Sequence, residues 1–296
     1  MENQKTVTSP TPNGINSIDS MPRDLSELIK LSTQEVHERA ENTEFMKGFH
    51  SVTLTQLKLL LSSLYTHYSA LEEELDRLSS NPCLSPLCIS RWQLHRVAAL
   101  QADLRYHYGA DWRNEAVLAV PAATREYAER IHEVAHSNPC LLISHSYTRY
   151  LGDLSGGQVL RRLAQRSLAL PPTGEGLSFF CFPEVSHAGR FKELYRARMN
   201  SLELSDLARG QVLQEAQTAF LLNVKVFEAI QKMSVVPPPR SSENGALRNR
   251  VPPPRTHSIQ SEKGPPTSSL SASPALRLVL ALCFAVVTVA VGIYAL

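Results

Sequence analysis

Residues 147–158 read YTRYLGDLSGGQ and contain three glycines, Gly152, Gly156 and Gly157. Strong helix formers surround them, although each glycine costs about 1 kcal/mol relative to alanine in a helix interior. A helix that bears this cost needs a kink or the close approach of a flat group, and a loop between two helices is the alternative. No GK[ST] follows, so the segment is not a phosphate-binding loop. Asp153 precedes Gly156 by about one turn, so its carboxylate shares the face that lacks side chains.

Outward from this segment, the pattern between residues 21 and 233 is helical nearly throughout. Apolar residues between 57 and 75 recur at spacings of three and four, and Thr53 or Thr55 is a candidate cap for that helix. Asp24 and Glu27 have the spacing of a capping box, which opens a helix predicted to end near Ala40. The other predicted helices cover residues 91–108, 124–136, 141–169, 191–202 and 207–230, and residues 177–182 are a candidate strand. Without βαβ alternation or an internal repeat, the sequence predicts an all-α fold, a compact multi-helix single domain.

The two ends of the chain differ from this domain in composition. Residues 1–20 are polar and predict a disordered leader, whereas the prolines of residues 234–274 predict an extended linker. Residues 275–296 predict a C-terminal transmembrane anchor, because positions 278–296 contain no charge and suffice to span a bilayer core of roughly 30 Å. Arg250, Arg255, Lys263 and Arg277 precede it. Basic residues on that side place the domain in the cytosol, so we expect a tail-anchored protein.

Charge and cysteine content exclude some classes of function. The net charge is +2 and 43% of the residues are hydrophobic, which favours a sizeable core and argues against a nucleic-acid partner. Five cysteines are present without CxxC spacing, and with no signal peptide we expect them to stay free thiols in a reducing compartment. They are Cys83, Cys88, Cys140, Cys181 and Cys283.

Two histidine patterns are candidates for metal binding. His37 follows Lys30 by seven residues, two turns along the first predicted helix, so the pair is suited to a metal that carries an anionic group. A solvated surface histidine is the more common alternative in this setting. His132 and His136 match the zinc-peptidase pattern HExxH. Pro139 ends that helix within a turn, however, and no third ligand is evident, so we interpret this pair as part of a polar helix face.

Four segments together resemble the heme oxygenase family, in that family's own order. They are YTRYLGDLSGGQ at 147–158, QEVHERAEN at 34–42, SLYTHYSALEEE at 63–74 and FKELYRARMNSLE at 191–203. The resemblance covers residues 21–230 and the tail anchor, which makes residues 21–233 the catalytic domain. It is closest to the animal type 1 branch, since the type 2 branch carries Cys-Pro dipeptides and this chain has none.

The resemblance implies a heme oxygenase on the cytosolic face of the endoplasmic reticulum membrane. Heme b is then both substrate and cofactor, and O2 opens it at the α-meso carbon to biliverdin, CO and Fe²⁺. The electrons come from NADPH through NADPH–cytochrome P450 reductase, and biliverdin reductase is a possible downstream partner. The alternative is a non-catalytic heme-binding sink or sensor anchored to the same membrane.

The resemblance also implies a role for each site residue. His37 matches the proximal ligand of the heme iron, and Gly152, Gly156 and Gly157 match the distal helix that covers the heme. Asp153 matches the carboxylate that organises water beside O2, supported by Tyr68, Tyr127, Arg149 and Asn223. Lys30, Lys192 and Arg196 match cations that meet the heme propionates, with Tyr147 beside them. Phe49, Phe220 and Phe227 match the pocket lining. Gln34 departs from the family, where a lysine is frequent, and predicts weaker heme orientation rather than lost activity.

Overall fold

The computed structural model describes residues 24–88, 91–118 and 120–235, and every regular element within them is helical. The α-helices are α1 (Leu25–Ser32), α2 (Gln34–Glu41), α3 (Glu44–Lys47), α4 (Leu54–Arg77), α5 (Ser85–Cys88), α6 (Arg91–Leu94), α7 (Val97–Tyr108), α8 (Trp112–Leu118), α9 (Ala122–Ser137), α10 (Leu142–Ser146), α11 (Gly152–Ser167), α12 (Ala188–Asn200) and α13 (Asp206–Val235). Three 3-10 turns lie at Gly48–Ser51, Pro139–Leu141 and Ser178–Phe180, and a π-helical turn lies at Tyr147–Leu151. The predicted all-α class is confirmed.

Two long helices organise the core. Helix α4 packs on α7 and α9, while α13 packs on α2, α9 and α10. The apolar positions that predicted α4 are all buried, namely Leu57, Leu60, Leu61, Leu64, Tyr68, Leu71 and Leu75. Burying a side chain of this size contributes about 1.5–3 kcal/mol, so tertiary packing is the main stabilisation of these helices.

The predicted helix caps had different outcomes. Thr53 begins α4 with a capping box: its hydroxyl accepts from the Gln56 amide at 3.2 Å, and the Gln56 side chain accepts from the Thr53 amide at 2.9 Å. Asp24 makes no capping hydrogen bond, so that prediction is wrong. The amide of Ser26 instead donates to the Asn200 side chain at 2.9 Å, which satisfies this helix start from a distant element.

The single helix expected between Asp24 and Ala40 is two helices. Thr33 lies between α1 and α2, and its hydroxyl donates to the Ile29 carbonyl at 2.7 Å. Such local hydrogen bonding competes with the helical pattern. Lys30 and His37 therefore belong to different helices, and their seven-residue spacing does not place them on one helix face. The predicted helix 91–108 is likewise divided into α6 and α7.

The glycine-rich segment is helical, so the loop alternative is wrong. The π-helical turn Tyr147–Leu151 leads directly into α11, which begins at Gly152 and contains all three glycines. A π turn inserts one residue into the hydrogen-bond ladder and often marks a functional site. It interrupts the single helix expected over residues 141–169.

The candidate strand at residues 177–182 is also wrong. Ser178–Phe180 forms a 3-10 turn with Phe179 and Phe180 buried. The Asp103 carboxylate accepts from the amides of Ser178 and Phe179 at 2.7 and 2.8 Å, which satisfies backbone groups that a sheet partner would otherwise need to bind.

Two of the cysteines expected to be free are joined. Cys83 and Cys140 form a disulfide with a Cα–Cα distance of 5.4 Å and a sequence separation of 57. The prediction of free thiols is wrong for this pair because it used spacing along the chain, whereas the fold brings the turn after α4 against the turn after α9. Cys88 and Cys181 lie outside this disulfide, and Cys283 lies outside the described residues.

The predicted leader, most of the linker and the anchor also lie outside the described residues. Helix α13 continues to Val235 and so includes the first two positions assigned to the linker. Within residues 24–88, 91–118 and 120–235, no helix has the length and apolar character needed to cross a bilayer.

Candidate functional site

A hydrogen bond between Tyr68 and Asp153 forms the centre of the site. Tyr68, on α4, is fully buried and donates its phenolic hydrogen to the Asp153 carboxylate on α11. Burial and the neighbouring carboxylate raise the pKa of Tyr68 well above its ordinary value, so the phenol stays protonated as a donor. Burial also raises the pKa of Asp153, although Arg149 and the Tyr68 hydrogen bond act in the opposite direction.

Arg149 connects this pair to α13. Its guanidinium donates to the Asn223 side-chain oxygen at 2.7 Å and lies 5.5 Å from the Tyr68 ring centroid. Tyr127, on α9, is fully buried nearby, and burial raises its pKa to about 12 against the effect of Arg149. The structure thus brings together the polar residues predicted around Asp153. We call Tyr68, Tyr127, Arg149, Asp153 and Asn223 the Asp153 cluster.

Three polar atoms in and beside this cluster lack protein partners. The oxygens of Tyr127 and Tyr150 and the Nε of Arg149 are buried and make no hydrogen bond within the described part of the chain. Buried polar groups in native proteins are nearly always satisfied, and ordered water is the usual partner when protein groups are not. The cluster is therefore suited to hold water molecules close to Asp153.

His37 lies on α2 in a setting that favours metal ligation. Its Nδ1 is 3.2 Å from the Glu41 carboxylate, which fixes the ring and leaves Nε2 as the outer nitrogen. About half of the side chain (48%) is exposed, and partial burial lowers the pKa of His37 despite the nearby Glu38. A lowered pKa favours the neutral imidazole, which is the form that binds metals. Sequence reasoning missed Glu41, although its position four residues after His37 is a detectable signal.

Helix α13 places His37 and the Asp153 cluster in one region. The His37 ring meets the Phe220 ring edge-on, with centroids 5.2 Å apart. Phe220 and Asn223 are three residues apart on α13 and therefore share a face. Since Asn223 binds Arg149 of the cluster, one face of one helix connects the candidate ligand to the candidate acid–base group.

The glycines of α11 leave part of its surface open. Gly152 and Gly156 are exposed, and a Cβ atom added to either would meet no atom within 4 Å outside the local helix backbone. Gly157 differs, because it is buried and its added Cβ would lie 3.6 Å from the Phe180 ring. We call the surface at Gly152 and Gly156 the glycine face. No packing contact among the described residues requires glycine at these two positions. Each glycine lowers helix stability by about 1 kcal/mol relative to alanine, and no protein contact offsets that loss.

Basic residues predicted to bind anions lie on α1 and α12. The Lys192 ammonium donates to the Ser155 hydroxyl of α11 at 3.0 Å, and burial together with Arg196 lowers its pKa. Burial raises the pKa of Tyr147 while Arg196 lowers it, which places that guanidinium beside the phenol. Lys30 is exposed and lies 3.9 Å from Glu27. The side chain of Gln34, the residue that differs from the lysine frequent in the family, donates to Glu38 at 3.3 Å.

The predicted aromatic lining is organised by a residue that sequence reasoning missed. Phe45 stacks on Phe227 with centroids 5.5 Å apart and meets Phe49 edge-on at 5.7 Å. Phe45 and Phe49 are fully buried core residues, whereas Phe220 and Phe227 are partly exposed. The spacing of four between Phe45 and Phe49 is the signal that identifies Phe45.

The HExxH pair is engaged by protein groups. His132 Nδ1 lies 2.7 Å from the Glu74 carboxylate on α4, and His136 Nδ1 lies 2.7 Å from the His132 carbonyl. Among the residues that the structure describes, no group of three or more His, Cys, Asp or Glu side chains is arranged to hold a metal ion. These contacts agree with a structural role for both histidines.

The fold and site thus define an all-α protein that presents an imidazole, a helix face without side chains, and a partly buried polar cluster around the Asp153 carboxyl group. The heme oxygenase family model matches residues 23–229. The chain is 48% identical to human heme oxygenase 1 over 94% of this chain and 98% of that protein, and 49% identical to heme oxygenase of Takifugu rubripes over 93% and 95%. A Synechocystis heme oxygenase-1, solved in complex with heme, aligns with TM-score 0.66 and 35% identity, covering 72% of this chain and 96% of that one. The chain belongs to the heme oxygenase family.

Proposed function

We propose that this protein binds heme b and opens it at the α-meso carbon to biliverdin, CO and Fe²⁺, using O2 and externally supplied electrons. The observation that carries this proposal is the glycine face, because its two exposed glycines lie on the same helix as Asp153 and leave backbone uncovered beside that carboxyl group. Family membership supports oxidative heme cleavage, and the solved Synechocystis relative contains heme.

Heme, when bound, supplies the redox chemistry and is itself the molecule that is cleaved. His37 would hold it through Nε2, with Nδ1 oriented by Glu41 at 3.2 Å. The partner carboxylate fixes the ring orientation and increases the basicity of the ligand. The residues present therefore fit the group, because one ring nitrogen is held by protein and the other is left for iron.

The glycine face would contact the flat surface of the bound group. Glycine has no Cβ atom, so it lets the helix backbone approach a planar ligand more closely than residues with side chains do. Gly157 has a different role, because its nearest neighbour is the Phe180 ring and it allows α11 to pack on the turn Ser178–Phe180. Phe220 and Phe227, which are partly exposed, would form the apolar lining and exclude bulk water. Phe49, which is buried, would support this lining through Phe45.

The Asp153 carboxyl would hold and transfer protons through water. Its pKa is raised by burial, which brings a carboxyl group closer to neutrality and improves it as a proton donor. Tyr68 orients one carboxylate oxygen, and Arg149 with Asn223 fixes the far side of the cluster. The buried atoms without partners provide positions for the water chain.

Lys30, Lys192 and Arg196, with Tyr147, would bind the two propionates and so fix which meso carbon faces Asp153. The Lys192–Ser155 hydrogen bond supports this assignment, since it places a cation within reach of the glycine face. Gln34, whose side chain donates to Glu38, would contribute no charge to this orientation.

The supply of electrons and the location are part of the same proposal. We infer NADPH–cytochrome P450 reductase as the electron donor and the cytosolic face of the endoplasmic reticulum membrane as the site of action. The uncharged residues 278–296 and the preceding basic residues support a tail anchor. Two enzymes held on one membrane gain effective concentration. Biliverdin reductase is the partner that we expect to consume the product.

Reconstitution of the protein with heme, reductase and NADPH tests this function. We expect loss of the heme Soret band together with the rise of biliverdin absorbance. A protein that binds heme tightly but yields no biliverdin would be a heme sink or sensor instead. A protein that gives no Soret band with heme would contradict both functions.

A further inference from the structure

The disulfide connects the chain segment that follows the helix of Tyr68 to the chain segment that leads to Asp153. Cys83 follows α4, the helix of Tyr68, by six residues. Cys140 lies in the turn Pro139–Leu141, from which the chain continues through α10 and the π turn to Asp153. Helices α4 and α10 also pack on each other. The disulfide therefore joins the turn after α4 to the turn that precedes α10.

A hydrogen bond between α4 and α9 lies near the two cysteines in the sequence. Glu74 of α4 accepts from His132 of α9 at 2.7 Å, eight residues before Cys140. This contact involves neither sulfur, so we expect it to remain when the disulfide is reduced. The fold consequently has a means of keeping the two cysteines close in the thiol form, so that the disulfide can re-form.

Both cysteines are accessible enough to react. Each is only partly buried, and each packs at the margin of the core rather than inside it. Disulfides in reducing compartments are rare and are usually transient or redox-sensing. A partly exposed pair at a Cα–Cα distance of 5.4 Å, close in sequence to a separate hydrogen bond between Glu74 and His132, has the features of such a sensor.

We propose that Cys83 and Cys140 form a reversible, peroxide-responsive disulfide that stiffens the segment leading to Asp153. One thiol loses its proton and attacks hydrogen peroxide as the thiolate; the O–O bond breaks, the leaving hydroxide takes up that proton, and sulfenic acid and water form. The second thiol then attacks that sulfur, the S–S bond forms and a second water leaves. Two thiols are oxidised and one peroxide is reduced, and a dithiol reductant reverses the change by exchange. The physiological source of peroxide rests on the proposed function, because an O2-reducing heme site releases peroxide when its reaction is not completed.

The first experiment uses heme-free, full-length protein, so that its outcome is independent of heme cleavage. The protein is reduced with dithiothreitol, then treated with hydrogen peroxide, alkylated and digested. Peptide mass spectrometry is expected to find the Cys83–Cys140 cross-link after peroxide and to find both cysteines alkylated after reduction. Absence of the cross-link after peroxide would overturn the proposal.

Thermal stability and amide hydrogen exchange then test whether the disulfide stiffens the segment that leads to Asp153. Closing a loop of this length predicts a Tm about 10 °C higher for the oxidised protein. Amide exchange in residues 139–151 is expected to slow several-fold on oxidation, whereas α2 serves as the internal control. Equal Tm values and equal exchange in the two forms would show that the link has no conformational effect.

Variants separate this pair from the other thiols. Cys83→Ser and Cys140→Ser should each lose the response of Tm to peroxide, whereas Cys181→Ser should retain it. Retention of the full response in either of the first two variants would refute the assignment. Because the oxidised and reduced wild-type proteins are compared directly, a variant that fails to fold leaves the test valid.

Discussion

Tyr68 and Asp153 lie 85 residues apart in the sequence, yet the phenol of the first donates a hydrogen bond to the carboxylate of the second. This bond joins α4, a core helix, to α11, the helix that carries the glycine face. It holds the carboxylate at a fixed position, and the raised pKa of Tyr68 ensures that the donor keeps its hydrogen.

Replacing Asp153 with alanine is expected to lower biliverdin formation by at least about 100-fold, the usual contribution of a positioned acid–base group. Oxidising equivalents should then appear as peroxidase-like oxidation of an added phenol. The measurement is biliverdin absorbance under reductase and NADPH, beside phenol oxidation. Normal biliverdin output from Asp153→Ala would remove this residue from the mechanism.

Tyr68→Phe keeps the Asp153 carboxylate and loses one hydrogen bond, worth about 1 kcal/mol. We therefore expect the rate of biliverdin formation to fall roughly fivefold.

Gly156→Ala is expected to have opposite effects on the free protein and on heme binding. An added methyl group meets nothing within 4 Å, so the heme-free protein should gain about 1 kcal/mol of helix stability. The same methyl group should obstruct the flat ligand and weaken heme affinity by about tenfold, which corresponds to about 1.4 kcal/mol. Thermal unfolding and heme titration measure the two effects.

Gly210→Ala is the matched control for this prediction. Gly210 lies on α13, is exposed, and has an equally open Cβ position. It should therefore give a similar gain in stability while leaving heme affinity unchanged. Equal heme affinities for Gly156→Ala and the wild type would show that the glycine face does not contact the ligand.

Much of this site was predictable from local patterns, because its residues belong to strongly periodic helices. The buried face of α4 follows from the spacing of its apolar residues, and the three glycines distinguish α11 in the sequence alone. The family resemblance assigned the members of the Asp153 cluster, and the fold brings them together. Neither their distances nor the π turn is present in the sequence pattern.

The sequence predictions that were wrong involve contacts between residues far apart in the chain. Asn200 replaces Asp24 as the cap of α1, Asp103 satisfies the turn that had looked like a strand, and Cys83 meets Cys140 across a separation of 57 residues. Each of these contacts depends on which elements lie side by side in the fold. The spacing of residues along one element does not reveal which other elements it contacts. Glu41 is a different case, since its spacing from His37 made it detectable.

Replacing His37 with alanine is expected to abolish ligation of ferric heme by protein imidazole. The Soret band should shift and its intensity fall, and added free imidazole should restore the wild-type spectrum, because the vacated position can accept it. His136→Ala is the control: that ring is exposed and bonds only to the His132 carbonyl of its own helix among the described residues. A His37→Ala spectrum identical to that of the wild type would contradict the assignment of His37 as the ligand.

A buried ion-pair cluster makes stability depend on pH in a predictable direction. Glu215 on α13 is buried and accepts from His145 at 2.9 Å and from Arg130 at 2.6 Å. Burial acts to raise its pKa, but these partners prevail and hold the pKa of Glu215 below its ordinary value of 4.5. A depressed folded pKa contributes stability that is complete above about pH 5 and is lost as the pH falls through the folded pKa.

Glu215→Gln should therefore cost about 2 kcal/mol at neutral pH, since it removes a charge that accepts several hydrogen bonds. It should also flatten the dependence of unfolding free energy on pH in the acid range, because the group that titrates is gone. Glu133→Gln is the matched control, as Glu133 binds the same Arg130 at 2.9 Å but is 64% exposed, so it should cost less than about 1 kcal/mol. Urea unfolding at a series of pH values measures both variants. Parallel curves for Glu215→Gln and the wild type below pH 5 would show that Glu215 does not control acid stability.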